Sequence, residues 1–183
     1  MYPVEDTVDC YIDPDTGLSF RLVKDTTEGG VVRRDVLELD RKRNTAHWVS
    51  KSENDEARYA IEPGTCDAVS FLYAFREERL GAGETRRFHI AADRSLHGLA
   101  VRAGKVVEKS FLGGDKVACR RHEVIPERDD LFVRKIPKGI WVSEDKRRLV
   151  LRMDIQMPVG TTHVVLEQYQ PPRRADAPSG AGR

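Results

Sequence analysis

The sequence lacks any apolar run near the roughly 18 to 20 residues that a transmembrane helix needs. It also lacks a secretory signal, because its first twenty residues, MYPVEDTVDCYIDPDTGLSF, contain neither a basic segment nor an apolar one. Two expectations therefore stay open, a cytoplasmic protein or an exported protein whose signal has been removed. With 183 residues, 39% of them hydrophobic and 33% charged, the chain is typical of one soluble globular domain.

No excess of positive charge is present, since 31 basic residues face 30 acidic ones. Nucleic-acid-binding domains usually carry clustered lysine and arginine. Here the basic pairs are scattered among acidic residues, at 33–34, 86–87 and 120–121. The sequence therefore predicts no nucleic-acid partner.

Motifs for metal, cofactor or covalent chemistry are missing as well. No two histidines have metal-ligand spacing, and no phosphate-binding or nucleophile-elbow motif occurs. We therefore predict no metal, no cofactor and no catalytic residues. The odd number of cysteines excludes a fully paired intramolecular framework, and leaves one disulfide with a free thiol or three thiols as alternatives; the cysteines are Cys10, Cys66 and Cys119.

Alternation of apolar and polar residues dominates the chain. About ten runs of this kind are separated by turn signals such as DPDTG, EGG, LGGD and PVG, which is typical of antiparallel hairpins. We predict a mainly β fold, one long curved antiparallel sheet or open barrel-like roll of about ten strands wrapped around a single helix. Residues 1–170 are expected to form one domain, and residues 171–183 a disordered Pro/Arg/Gly tail.

The single helix is predicted over about residues 67–79, a stretch free of glycine and proline. Asp67 is placed to cap its start by accepting a backbone N–H near Val69 or Ser70, and Gly81 to cap its end. Apolar residues cover most of its circumference, so we expect a buried helix. Tyr73 and Arg76 are expected to find polar partners in the sheet.

The same helix carries a resemblance to a known family. The helix reads Asp67-x-x-Ser70-x-x-Tyr73-x-x-Arg76, and a turn with Leu80 and Gly83-Glu84 follows. A later hairpin carries a second motif, whose residues are Trp141, Ser143, Asp145, Arg148, Leu149 and Gly160. Both motifs, and more loosely residues 20–48, resemble the bacterial domain-of-unknown-function family numbered 3108.

The resemblance implies an antiparallel β fold around one helix, and export to the bacterial envelope. It implies no activity. One segment departs from the family pattern, because LGGDKVACRRHEVIP lacks an aromatic residue after its glycines. The family-signature residues are Asp67, Ser70, Tyr73, Arg76, Gly83, Trp141 and Asp145.

These observations favour a non-enzymatic envelope protein, periplasmic rather than cytoplasmic. We expect it to bind an apolar or amphipathic, lipid-like molecule in the concave face of the sheet, because the mouth of an open barrel is a common ligand site. Candidate ligand-binding residues are Trp48, Tyr73, Arg76 and Trp141, although a core role between sheet and helix is the favoured interpretation of the two tryptophans. The alternatives are an interaction domain that uses strand edges or the tail, with an envelope protein as partner, and a hydrolase that uses Cys66 near the helix N-terminus.

Overall fold

The fold is mainly β, as predicted. A computed structural model describes residues 4–28, 30–111, 114–128, 137–156 and 160–171. Eleven strands and one helix lie in these residues. They are β1 (Val4–Ile12), β2 (Ser19–Glu28), β3 (Val31–Asp40), β4 (Thr45–Ser50), β5 (Asp55–Ala60), α1 (Ser70–Glu77), β6 (Thr85–Ala92), β7 (Ser95–Lys109), β8 (Val117–Pro126), β9 (Pro137–Ser143), β10 (Val150–Gln156) and β11 (Thr161–Val165).

The strands form two antiparallel sheets of five and six strands, which is consistent with the predicted open barrel-like roll although the sheet is not continuous. Sheet A has the order β1-β2-β3-β4-β5 and sheet B the order β11-β10-β9-β8-β7-β6. The hydrogen-bonded ladder breaks between β5 and β6 because α1 and its lead-in loop, rather than a tight turn, connect them. Cys66 in this loop forms a parallel bridge with Ile90 of β6, which ties the loop to sheet B. Residues 172–183, nearly all of the predicted tail, lie outside the described residues.

Each sheet packs apolar side chains on the face that is turned toward α1, called here the inner face. On sheet A, Leu37 and Trp48 are cross-strand partners and form a core with Ile61 and Ala91. On sheet B, a larger core surrounds the helix and contains Phe71, Phe75, Ile90, Leu99, Val101, Val124, Ile140 and Val142. Complete burial of a side chain such as Phe75 contributes roughly 1.5–3 kcal/mol, so the helix contributes strongly to this second core.

The helix is amphipathic, and the expectation of a helix buried all round is wrong. Phe71 and Phe75 are buried and stack with ring centroids 5.8 Å apart, whereas Tyr73 and Glu77 are exposed. Apolar residues at steps of three and four cover one face of a helix, and Leu72 and Ala74 only flank that face.

The start of α1 confirms the predicted capping role of Asp67. Its carboxylate accepts the N–H groups of Val69 at 2.7 Å and Ser70 at 2.9 Å. In return, the Ser70 hydroxyl accepts the N–H of Asp67 at 2.9 Å, which completes a reciprocal capping box. Because Asp67 and Ser70 are both buried, these bonds satisfy polar groups that would otherwise be costly to desolvate.

The end of α1 differs from the prediction, because Gly81 does not cap it. The helix ends at Glu77 and the chain turns extended at Glu78. The last carbonyls are instead capped by a side chain from the β9–β10 turn. Arg148 donates to the carbonyl of Arg76 at 3.1 Å and to that of Glu78 at 3.0 Å. A cation is also favourable at this negative end of the helix dipole.

Replacing Arg148 by methionine should therefore destabilise the protein by about 2–4 kcal/mol, because two carbonyls lose their donor and Glu144 loses one of its two arginine partners. Urea unfolding measures the change. The matched control is Arg147→Met at the neighbouring exposed position, with an expected change within about 0.5 kcal/mol. Equal effects of the two substitutions would contradict the capping role of Arg148.

Candidate functional site

A buried polar cluster holds the first turn of α1 against sheet A. The Ser19 hydroxyl of β2 lies 3.0 Å from the Ser70 hydroxyl, and the Cys10 thiol of β1 donates to Asp67 at 3.3 Å. Arg41 follows β3 and donates to the carbonyls of Ser19 at 2.9 Å and Thr65 at 2.7 Å. Three strands of sheet A and the lead-in loop are thus joined at one point, which fixes the distance between the helix and the inner face of the sheet.

An apolar cleft of about 250 Å³ lies beside this cluster, between sheet A and the start of α1. Its floor is formed by the inner face of sheet A, and its walls by Ala68 and Val69, which immediately precede α1, and by the end of β6. The apolar lining residues are Val8, Leu22, Leu37, Trp48, Ala68, Val69, Ala91 and Ala92. Leu37, Trp48 and Ala91 are buried, whereas Val8 and Ala68 are exposed, so the cleft opens to solvent on their side.

Three charged side chains also line the cleft. Lys24 and Asp35 are direct cross-strand partners on β2 and β3, and Asp93 lies in the turn after β6. Within the described residues, the Lys24 amine makes no ion pair or hydrogen bond. A lining that combines an apolar floor with a few charged groups can accommodate a molecule that is apolar at one end and polar at the other.

The four residues proposed for ligand binding do not form one site. Trp48 belongs to the core of sheet A, as the core prediction expects, and it also lines the cleft. Tyr73, Arg76 and Trp141 do not line the cleft.

Tyr73 is 53% exposed, and its hydroxyl makes no hydrogen bond to any described residue. The expectation that it anchors the helix through a polar partner in the sheet is therefore wrong. The reason is the helical period, which places Phe71 and Phe75 inward and the residue between them outward. Arg76 does have the expected partner, because its guanidinium donates to the carbonyl of Arg147 in the β9–β10 turn.

Trp141 alternates along β9 with the inward residues Ile140 and Val142, so its side chain lies on the outer face of sheet B. The Lys109 amine lies 4.3 Å from the centre of its ring, and Phe111 packs edge-on at 6.2 Å. Its indole N–H is buried without a partner among the described residues. Trp141 is thus far from the inner face on which a ligand was expected.

The remaining signature residues act structurally. Gly83 has a positive φ of 87° and donates to the carbonyl of Ala103 at 2.7 Å. The Asp145 carboxylate accepts from Ser143 at 2.8 Å and from the N–H of Arg147 at 3.1 Å, which shapes the turn that delivers Arg148 to the helix end. Arg76 of the first motif and Arg148 of the second therefore lie on the two sides of one contact between α1 and the β9–β10 hairpin.

The cysteines are free thiols, and Cys66 and Cys119 are buried. Burial, reinforced by the charge of Asp67, raises the pKa of Cys66. The same two causes raise the pKa of Cys10 to about 12. The expectation that the helix N-terminus favours a Cys66 thiolate is wrong, because the adjacent carboxylate and the loss of water outweigh the helix dipole.

His122 is the most unusual buried group of sheet B. It is fully buried 4.8 Å from the ring of Phe75, and neither ring nitrogen has a hydrogen-bond partner among the described residues. Burial, followed by the charges of Arg148 and Arg120, lowers its pKa from 6.5 to about 4. Both arginines share Glu144, each at 3.1 Å, and the Arg120 hydrogen bond is the main reason why the pKa of Glu144 is lowered.

Sequence reasoning missed most of the cleft residues, including Leu22, Leu37, Val69 and Ala91. A signal was present for the first two. The EGG turn pairs Glu28 with Val31, and counting back along this hairpin pairs Leu22 with Leu37 on one face. No such signal places Val69 and Ala91 opposite them, because that contact depends on how the helix is anchored.

In the described part of the chain, no three histidine, cysteine, aspartate or glutamate side chains are grouped so that they could hold a metal ion. None of its helices combines the length and apolar character needed to cross a bilayer.

Comparison with known proteins yields one family. A family model described as "Protein of unknown function (DUF3108)" matches residues 1–167. The search of curated proteins and the search of solved structures each returned no match.

The state of His122 makes acid stability testable. The pKa of His122 is lower in the folded state than in the unfolded state. Its contribution to the free energy of unfolding is therefore fully present above pH 6.5 and is lost as the pH falls through about 4. This loss amounts to about 3 kcal/mol. In His122→Phe the fall in unfolding free energy between pH 7 and 4, measured with urea, should be smaller by this amount. Parallel pH profiles of the two proteins would contradict a buried neutral histidine.

The position of Tyr73 gives a second test. Tyr73→Phe should change the unfolding free energy by less than about 0.5 kcal/mol, because no hydrogen bond is lost. Thermal and urea unfolding measure it. A loss of about 1 kcal/mol or more would show that the hydroxyl has a partner in the folded protein.

Proposed function

We propose that this chain, which belongs to the DUF3108 family of proteins of unknown function, is a non-enzymatic binding protein of the bacterial envelope. It holds the apolar part of a small amphipathic molecule in the cleft between sheet A and α1. The observation that carries the proposal is the cleft itself, whose lining is apolar apart from Lys24, Asp35 and Asp93.

The size of the cleft selects a class of ligand. Its volume of about 250 Å³ lies just below the roughly 300–1,000 Å³ of typical small-molecule sites, and an apolar cavity of about 150 Å³ already binds benzene. A medium-length acyl chain fits this space better than a two-chain lipid. The polar end of such a molecule would lie near Lys24, a cation without a partner in the described residues.

A binding role also agrees with the chemistry of the buried groups. The two thiols nearest the cleft have raised pKa values and are therefore protonated at neutral pH, which disfavours nucleophilic attack by either of them. Asp67, the carboxylate beside them, is fully buried and already accepts two backbone N–H groups and the Cys10 thiol. These groups are committed to holding the helix.

Binding of decanoate, measured by isothermal titration calorimetry, tests the proposal. Wild-type protein should bind it, and Ala68→Leu should weaken binding at least about tenfold, because the larger side chain enters the mouth of the cleft. Leucine is well tolerated at a helix start, so folding should be unchanged.

Ala118→Leu is the matched control, since Ala118 is also exposed but lies on β8 of the other sheet. It should bind decanoate as the wild type does. Native mass spectrometry of protein from bacterial cells gives a second readout, in which a bound small molecule is expected. Absence of both decanoate binding and a bound molecule, or equal binding by both variants, would refute the cleft as the site.

A further inference from the structure

Four strand edges are present in the described residues, and only one of them has neither a cover nor charged side chains. The edge of β6 is bridged by Cys66, and β5 is tied to the turn after β6 by the bond from the Tyr59 hydroxyl to the carbonyl of Asp93. The β1 edge carries Glu5, Asp6 and Asp9. The β11 edge reads Thr-Thr-His-Val-Val, with no acidic, lysine, arginine or proline residue. Natural sheets normally carry charged residues or proline at an exposed edge, which prevents another strand from pairing with it. β11 has neither.

The backbone of β11 shows which groups face outward. Leu166 donates to the carbonyl of Leu151 at 2.9 Å, so these residues form a hydrogen-bonded pair of the β10–β11 ladder. Such pairs alternate in antiparallel sheets, which makes Val164 and Thr162 the next pairing residues toward β10. The N–H and C=O groups of Thr161, His163 and Val165 therefore point away from the sheet, and no described residue pairs with them.

These three residues are arranged symmetrically about His163. A second copy of the strand, running antiparallel, can pair His163 with His163 and Thr161 with Val165 in both directions. Each of these pairs exchanges two backbone hydrogen bonds. The side chains permit this pairing, because β11 contains no lysine, arginine, aspartate or glutamate that would lie opposite the same charge on the second copy. The His163 ring is held on the outer face by Asp154 at 2.9 Å.

An apolar groove of about 510 Å³ runs along the inner side of the same edge, between α1 and β10–β11. Its apolar lining residues include Leu72, Val150, Met153 and Val164, of which Val164 is 44% exposed, and Glu167 and Gln168 also line it. In the paired arrangement, Val164 lies across from Thr162 of the second copy on this inner face. The contact thus covers apolar surface as well as satisfying backbone groups.

We propose that β11 pairs with β11 of a second copy of this chain, so that two six-stranded sheets join into one across a two-fold axis. A closed, isologous contact of this kind is the commonest form of homodimer. A second copy fits better than an acidic partner strand such as β1, because the Arg152 guanidinium beside His163 is already paired with Asp154. The site proposed for amphipathic molecules lies on sheet A and is independent of this contact.

Sedimentation velocity from about 1 to 100 µM tests the dimer, a range that spans the affinities of many weak to moderate interfaces. The wild type should approach twice the molar mass of one chain as concentration rises. His163→Pro should remain a monomer, because it removes an outward N–H without removing a bond to β10. His163→Ala is the matched control, which loses the imidazole but keeps that N–H, and should dimerise within about threefold of the wild-type affinity.

Val164→Lys provides a second disruptive variant that leaves the backbone unchanged, and thermal unfolding verifies that all variants are folded. Val164→Lys should also be monomeric, since lysine on an exposed edge strand disfavours pairing with another strand. A wild type that is monomeric throughout the range would overturn the proposal. A dimer that persists in both His163→Pro and Val164→Lys, or one lost equally in His163→Ala, would also overturn it, because the contact would then not be backbone pairing at β11.

Discussion

The buried carboxylate of Asp67 is the interaction on which the rest of the structure depends. It begins the helix by accepting two backbone N–H groups and receives the Cys10 thiol of the first strand. The Ser70 hydroxyl, which returns the cap, also contacts Ser19 of the second strand. One carboxylate thus determines both where α1 starts and how closely it approaches sheet A. A buried charge is stable only when such partners surround it. Substitution of Asp67 or removal of one of its partners should therefore destabilise the folded protein.

A second anchor at the opposite end makes the helix a bridge between the sheets. Arg148 of sheet B caps the final carbonyls, and Arg76 of the helix reaches back to the same turn. The helix therefore contacts sheet A through its first turn and sheet B through its last turn and its apolar face. This arrangement explains the cleft. The start of α1 contacts sheet A through the polar cluster around Asp67, and the apolar side chains beside that cluster are left with space between them.

Sequence reasoning located the elements better than their contacts. The alternation of residues is a local property, so the mainly β fold and the position of the single helix could be predicted, as could the Asp67 cap, whose partners lie two and three residues away. The end of the helix was mispredicted because Gly81 satisfies a local rule, whereas the actual cap comes from Arg148, which lies seventy residues after Glu78 in the sequence. Tyr73 was mispredicted for a related reason, since a stripe at steps of three does not show which face the sheets cover. The break into two sheets depends on the same long-range packing.

The central claim is that α1 is held as firmly as the sheets that it joins, because its cap is buried. Native-state hydrogen exchange of the Val69 and Ser70 amides tests this claim most directly, since both donate to Asp67. These two amides are expected to exchange as slowly as the amides of Ile140 and Val142 in the core of β9, through global unfolding. Exchange at the rate of exposed loop amides, with β9 still protected, would contradict it, because the helix start would then open on its own.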